Sequence, residues 1–273
     1  MSINNELLHT AIKAAFHGGQ EILEVYHQSD FTVEWKEDDS PLTQADKAAN
    51  RVIKKYLEQT GIPILSEEGK EIDYKERKHW DKFWLVDPLD GTKEFIKRNG
   101  EFTVNIALIE NNLPTLGVIL VPETKELYFA EKELGAFKKD DFKKEMILDQ
   151  ILFDAHKLPL TSGPNTFTVV ASRSHMSEET QQYIDELKAK HGNVETLSRG
   201  SSLKLCMVAE GKANVYPRFA PTMEWDTGAG HAIARISGAD VLNNDTGREL
   251  HYNKENLRNP WFVVKRSDMN SEF

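Results

Sequence analysis

The chain of 273 residues has a single cysteine, Cys206. No intramolecular disulfide can form, and Cys206 reads as a small core hydrophobe. No apolar run approaches the roughly 20 residues that a bilayer-spanning helix needs. The opening MSINNELLHT lacks the basic-then-apolar order of a secretory signal. A cytoplasmic protein is expected. Peripheral association with the inner membrane is left open, as is the choice between monomer and homodimer. Cations are also in deficit: 34 Lys and Arg against 44 Asp and Glu leave a net charge of −10. That balance argues against binding a nucleic-acid polymer, which needs a basic face. It does not exclude a small anionic ligand, because metals and a few placed cations can make a local positive pocket. No internal repeat or low-complexity segment stands out. What is present, 39% hydrophobic and 29% charged residues, fits a globular chain with one large domain or two closely packed ones.

Leu8, Ile12, Ala15, Phe16, Ile22, Leu23 and Tyr26 recur at helical spacing and predict a helix over 3–27. Gly18 and Gly19 weaken it by roughly 1 kcal/mol each relative to Ala, which points to a close neighbour. A short strand over 31–35, a helix over 43–59 and buried strands over 62–66 and 83–87 follow. The segments FTVNIALIE, PTLGVILV, ELYFAE and GAFKK predict an antiparallel meander. Residues 140–165 read as a linker. Strands over 166–172, 193–198 and 213–218 then alternate with helices over 177–191, 202–210 and 226–237. The expectation is an α+β first part, residues 1–155, and an α/β second part, residues 156–273, with layered sheets and helices.

The sharpest feature is DPLDGT at 87–92, after the buried strand FWLVD. Asp87 and Asp90, three residues apart, can meet on one side of a turn, and the Leu89 carbonyl between them can join them. Such oxygens suit Mg²⁺, a hard ion of octahedral preference. Gly91 and Thr92 open a helix N-terminus whose free N–H groups suit a phosphate. Glu67 and Glu68 end a neighbouring strand, and the residues alone do not choose between them. Asp226, in EWDTGAG, begins a helix whose Gly228, Ala229 and Gly230 allow close approach to another element. Asp46 follows Thr43 in a capping-box pattern. Each acid has a bland account as a cap, a polar turn or a solvated loop. Their joint placement at the ends of strands and helices does not.

LSEE at 65–68, LVDPLDGTKEF at 85–95 and EWDTGAGHA at 224–232 resemble the three signatures of the inositol monophosphatase superfamily of lithium-sensitive, Mg²⁺-dependent phosphatases. The resemblance runs along essentially the whole chain. It implies a layered αβαβα sandwich with the site between the two parts. It implies that Glu67, Asp87, the Leu89 carbonyl, Asp90 and Asp226 hold two or three Mg²⁺ ions. It gives Asp46 and Thr92 the catalytic task of orienting and activating the attacking water. Glu67, Leu89, Asp90, Gly91, Thr92 and Asp226 would also face the substrate.

Two further segments bear on the substrate. GSSLK at 200–204 and VYPRF at 215–219, with ASRSH at 171–175, resemble bacterial 3′(2′),5′-bisphosphate nucleotidases. A nucleotide with two phosphates needs one held while the other is cleaved. Ser201, Lys204 and Arg218 can hold it, the arginine bidentately and the lysine as a point charge. His175 contacts the nucleoside or caps the helix at Ser177. The implied reaction is hydrolysis of adenosine 3′,5′-bisphosphate to AMP and phosphate. The resemblance also implies 3′-phosphoadenylyl sulfate as a second substrate, and clearance of a by-product of sulfate assimilation as the role. The alternative is an inositol-monophosphate or broad sugar-phosphate phosphatase.

Overall fold

A computed structural model of the chain describes residues 3–29, 33–35, 41–171 and 177–266. Helix α1 (Ile3–Tyr26) leads to strands β1 (Val33–Trp35) and β2 (Pro41–Thr43), which pair antiparallel, and then to α2 (Gln44–Leu57). The glycines of α1 have the close neighbours that the sequence suggests. A Cβ on Gly18 would stand 2.7 Å from Ile53 Cγ1 of α2, and one on Gly19 2.7 Å from Leu120 Cδ2. The backbone of α1 therefore lies directly against a side chain of α2 and one of the sheet, where larger side chains at 18 and 19 would overpack the joint.

Strand β3 (Ile64–Ser66), helix α3 (Tyr74–Arg77), strand β4 (Lys82–Asp90) and helix α4 (Thr92–Ile96) come next. The meander β5 (Thr103–Glu110), β6 (Leu113–Val121), β7 (Glu126–Glu131) and β8 (Gly135–Lys139) is as expected. The linker expected over 140–165 is instead structured in part. Leu148 and Ile151, both fully buried, anchor α5 (Leu148–Phe153), and β9 (His156–Lys157) pairs with β8. The charge around this segment hides its short apolar period. β3 to β9 form one sheet in chain order, antiparallel except for β3 beside β4.

The remaining strands and helices are β10 (Phe167–Ala171), α6 (Glu178–His191), β11 (Val194–Ser198), α7 (Leu203–Ala209), β12 (Val215–Arg218), α8 (Glu224–Ile236), β13 (Ala239–Asn243) and β14 (Phe262–Arg266). The last two strands are not anticipated above. They complete a five-stranded sheet of order β11-β10-β12-β14-β13.

Side-chain alternation along β4 explains the layering, since successive residues point to opposite faces. Trp84 and Val86 join the core under α1 and α2. Phe83 and Leu85 join a second core with Leu205 of α7, Ile233 of α8, and Tyr216 and Phe262 of the five-stranded sheet. Val169, Val215 and Val263, on the far face of that sheet, pack with Ile184 of α6. The order is thus α-β-α-β-α, as the motifs imply. α8 lies in the middle layer, and its small residues let it do so. A Cβ on Gly228 would stand 2.8 Å from Leu85 Cδ2, and one on Gly230 2.9 Å from Leu205 Cβ. No helix among the described residues is long and apolar enough to cross a membrane.

Candidate active site

β4 carries the acidic motif further than a turn would. The strand continues through Asp90, and its register against β5 shifts between Asp87 and Asp90. A bulge of this kind re-aims side chains at a strand end. Asp87 is buried and its Oδ1 accepts the Leu89 N–H at 3.0 Å. Gly91 has φ of 90°, and a Cβ there would also stand 3.2 Å from Ser201 Cβ. Glycine is required by both backbone and neighbour. α4 then opens at Thr92. Its hydroxyl lies 3.5 Å from Asp46 Oδ1 and 3.4 Å from the Leu89 carbonyl, both long contacts.

The bland account of the flanking acids holds, and it leaves each of them a face toward the site. Asp46 does close a capping box: its Oδ2 accepts the Thr43 N–H at 2.7 Å and the Thr43 hydroxyl at 2.6 Å. Its other oxygen faces Thr92. Asp226 accepts the Met223 N–H at 2.9 Å and also lines the central cleft. Glu67 follows β3 directly, and its N–H bonds the Val86 carbonyl at 3.1 Å, one residue from Asp87.

These carboxylates share one field. Burial, then the charges of Glu67, Asp90, Asp226 and Asp46, push the Asp87 carboxyl well up. Burial, then Asp90 and Glu67, do the same to Asp226. Asp90 is raised by burial against the opposing pull of Lys204, Asn105, the Ser202 N–H and Arg218. Burial carries Asp46 from 3.8 to about 6, although its Thr43 bonds favour the charged form. Among the described residues, no three or more His, Cys, Asp and Glu side chains are arranged to hold a metal ion as they stand. The fit to a metal therefore lies in donor chemistry. The donors are all oxygen, partly desolvated and mutually repelling, and a hard dication relieves such a set.

A cleft of about 590 Å³ opens above them. Glu67, Asp90, Gly91, Thr92, Ser201, Lys204, Arg218 and Asp226 all line it. Asp46, Asp87 and Leu89 lie buried behind the lining. His175 falls outside the described residues. Lys204 is buried, and desolvation lowers its ammonium to about 8 despite the nearby Asp90. Its Nζ donates to the carbonyls of Arg199 at 3.3 Å and Ser201 at 2.5 Å. Arg218 Nη2 donates to the Pro221 carbonyl at 3.0 Å. Arg218 Nε and the Ser201 hydroxyl are buried with no hydrogen-bond partner among the described residues. Unpaired buried polar atoms are costly, and here they border the cleft.

The sequence reading missed a polar relay beside Asp90. Asn105 Nδ2 donates to Asp90 Oδ2 at 3.3 Å, while its Oδ1 accepts from Thr103 Oγ1 at 3.0 Å and Ser202 Oγ at 2.8 Å. One amide thus joins an acid of β4 to the residue that opens α7. A lone asparagine inside the otherwise apolar core of FTVNIALIE is the signal that could have found it.

The sequence profile of the inositol monophosphatase family matches residues 3–265. The chain belongs to the inositol monophosphatase family. Among relatives of this family member is the 3′(2′),5′-bisphosphate nucleotidase CysQ of Salmonella typhimurium, strain LT2. It is 46% identical over 263 residues, covering 94% of this chain and 99% of the relative. CysQ of Escherichia coli, strain K12, is 44% identical over 262 residues, with the same coverage of 94% and 99%. The crystal structure of CysQ from Bacteroides thetaiotaomicron, a bacterial member of the inositol monophosphatase family, superposes with a TM-score of 0.89. Its identity is 52%, over 96% of this chain and 97% of that one. An inositol monophosphatase from Thermotoga maritima shares the fold at 20% identity and a TM-score of 0.73, over 98% of this chain and 94% of that one.

Proposed function

We propose that the chain is an Mg²⁺-dependent phosphomonoesterase that hydrolyses adenosine 3′,5′-bisphosphate to AMP and phosphate, with 3′-phosphoadenylyl sulfate as a second substrate. The observation that carries this reading is that one cleft gathers both kinds of group. Glu67, Asp90 and Asp226, acids that repel one another, line it together with Lys204, Arg218 and Ser201, and Arg218 Nε and the Ser201 hydroxyl are buried there with no partner among the described residues. The names of the relatives at 44–46% identity support the nucleotide.

Glu67, Asp87, the Leu89 carbonyl, Asp90 and Asp226 would hold two or three Mg²⁺ ions. When bound, these supply Lewis acidity toward the phosphoryl group. The rest falls to the chain. Asp46, with its carboxyl at about 6, is ionised at neutral pH and accepts the Thr92 hydroxyl hydrogen. The Thr92 oxygen is then left as an acceptor that orients the attacking water, and Asp46 is the final base. Lys204, Arg218 and Ser201 hold the phosphate that is not cleaved, which fixes the other for in-line attack.

Phosphate release over a panel of adenosine 3′,5′-bisphosphate, 3′-phosphoadenylyl sulfate, 3′-AMP and inositol 1-phosphate tests this. The bisphosphate should turn over with the highest kcat/KM, and excess EDTA should stop it. A higher kcat/KM on inositol 1-phosphate would replace the nucleotide reading with the broad phosphatase reading.

A further inference from the structure

Lys204 does not hold its place in the cleft wall alone. Its ammonium is gripped by two backbone carbonyls, Arg199 and Ser201, that flank one residue, Gly200. Gly200 is in turn gripped from the loop that precedes β5. Its N–H donates to Glu101 Oε2 at 2.9 Å, and Glu101 Oε1 faces Arg199 Nη1 at 3.4 Å. The approach leaves no room: a Cβ on Gly200 would stand 2.8 Å from the Glu101 carbonyl and 2.9 Å from Glu94 Cγ. Ser201 follows in the left-handed region, with φ of 44°, and its hydroxyl borders the cleft unpaired. One carboxylate thus sets the peptide that aims both the Lys204 cradle and Ser201.

The position is unexpected on charge alone. Glu101 lines the cleft, its side chain is only 16% exposed, and a negative group beside a phosphate subsite repels the ligand. Its geometry offsets that cost, because it binds the backbone of the segment and pairs with Arg199.

We propose that Glu101 is a positioning residue that holds the 199–201 segment in the shape that recognises a second phosphate, and so sets the preference for bisphosphate over monophosphate substrates. The proposal rests on the nucleotidase reading above. It assigns Glu101 no contact with the reacting atoms. A Gln at 101 keeps an acceptor for the Gly200 N–H. An Asp withdraws it by one methylene while keeping the charge, and an Ala removes it.

The test compares Glu101→Gln, Glu101→Asp and Glu101→Ala with the parent chain on adenosine 3′,5′-bisphosphate and on 3′-AMP. A second readout, free of turnover, is calorimetric binding of adenosine 3′,5′-bisphosphate with Ca²⁺ replacing Mg²⁺. For Asp and Ala, KM and Kd for the bisphosphate should rise on the order of tenfold, the scale of one lost bond to a charged group. Their kcat and their KM for 3′-AMP should change far less, and Gln should behave as the parent. Adding Lys204→Met to Glu101→Ala should bring little further loss, since both act through one cradle. Equal losses on both substrates, or unchanged bisphosphate binding in folded Glu101→Asp, would overturn the proposal. If the parent chain itself shows no preference for the bisphosphate, the nucleotidase reading fails, and the role of Glu101 with it.

Discussion

Replacing Asp46 by Asn should make the protein more stable and less active, and only above a definable pH. Asp46 is 3% exposed, and its carboxyl is carried from 3.8 to about 6, first of all by burial. The folded chain therefore binds this proton more tightly than the unfolded chain. The stability tied to it is fully present below pH 3.8 and is lost as pH rises through about 6. At 1.36 kcal/mol per pH unit, the ionised folded form is destabilised by on the order of 3 kcal/mol. Asn removes that burden and can still accept from the Thr43 N–H and hydroxyl. It gives up a favourable charge in the first turn of α2, worth roughly 0.3–1 kcal/mol. The net expectation at pH 8 is a gain of about 2 kcal/mol, with none at pH 4. Urea unfolding of both proteins in EDTA at the two pH values measures it. Turnover should fall by about a hundredfold or more, since the proposed base is gone. If the variant is less stable by the same amount at both pH values, the capping role of Asp46 outweighs its burial and the argument is wrong.

Three further outcomes are expected. Mg²⁺ at about a hundred times its dissociation constant should add about 2.7 kcal/mol at pH 8, or roughly 5–10 °C in Tm. The shift should be smaller at pH 5, where protons compete for the raised carboxyls, and a shift matched by NaCl would refute it. Lys204→Met and Arg218→Leu should each lower kcat/KM on adenosine 3′,5′-bisphosphate by on the order of tenfold to a hundredfold, with much smaller losses on 3′-AMP. Equal losses would mean that they support the fold. Gly230→Leu should cost about 1–3 kcal/mol in urea unfolding, because its side chain must enter the space of Leu205. A neutral result would show that α7 and α8 can separate.

Much of this was legible in the sequence because the signals are local. The period of α1, the apolar segments and turn residues of β5 to β8, and the DPLDGT run each lie within a short window. The failures are those of signals that need a partner. α5 is a short apolar period inside a charged run, and Leu148 and Ile151 look exposed until the sheet covers them. β13 and β14 are five residues each and are stable only as neighbours in a sheet whose other strands come earlier. Within the cleft, residue types could nominate Lys204 and Arg218. They could not reveal that Glu101 and Asn105, nearly a hundred residues upstream, hold the segment between them. Nor could spacing decide between cap and site residue for Asp46 and Asp226, because each caps its helix and still faces the site: Asp46 Oδ1 toward Thr92, Asp226 into the cleft.

α8 carries a consequence for how the molecule is assembled. The helix that brings Asp226 also fills the space beside Leu85 with Gly228 and beside Leu205 with Gly230. A nascent chain that has not yet delivered α8 holds Asp46, Glu67, Asp87 and Asp90 but lacks both the last acid and the wedge between the sheets. If these acids hold a cation as proposed, full affinity for it would arrive only with the finished core, and an incomplete chain would be a poor scavenger of metal. The coupling would run the other way as well. A cation held by residues of both β4 and α8 would then fasten two layers of the sandwich together. Chelation should loosen that joint before it loosens either sheet.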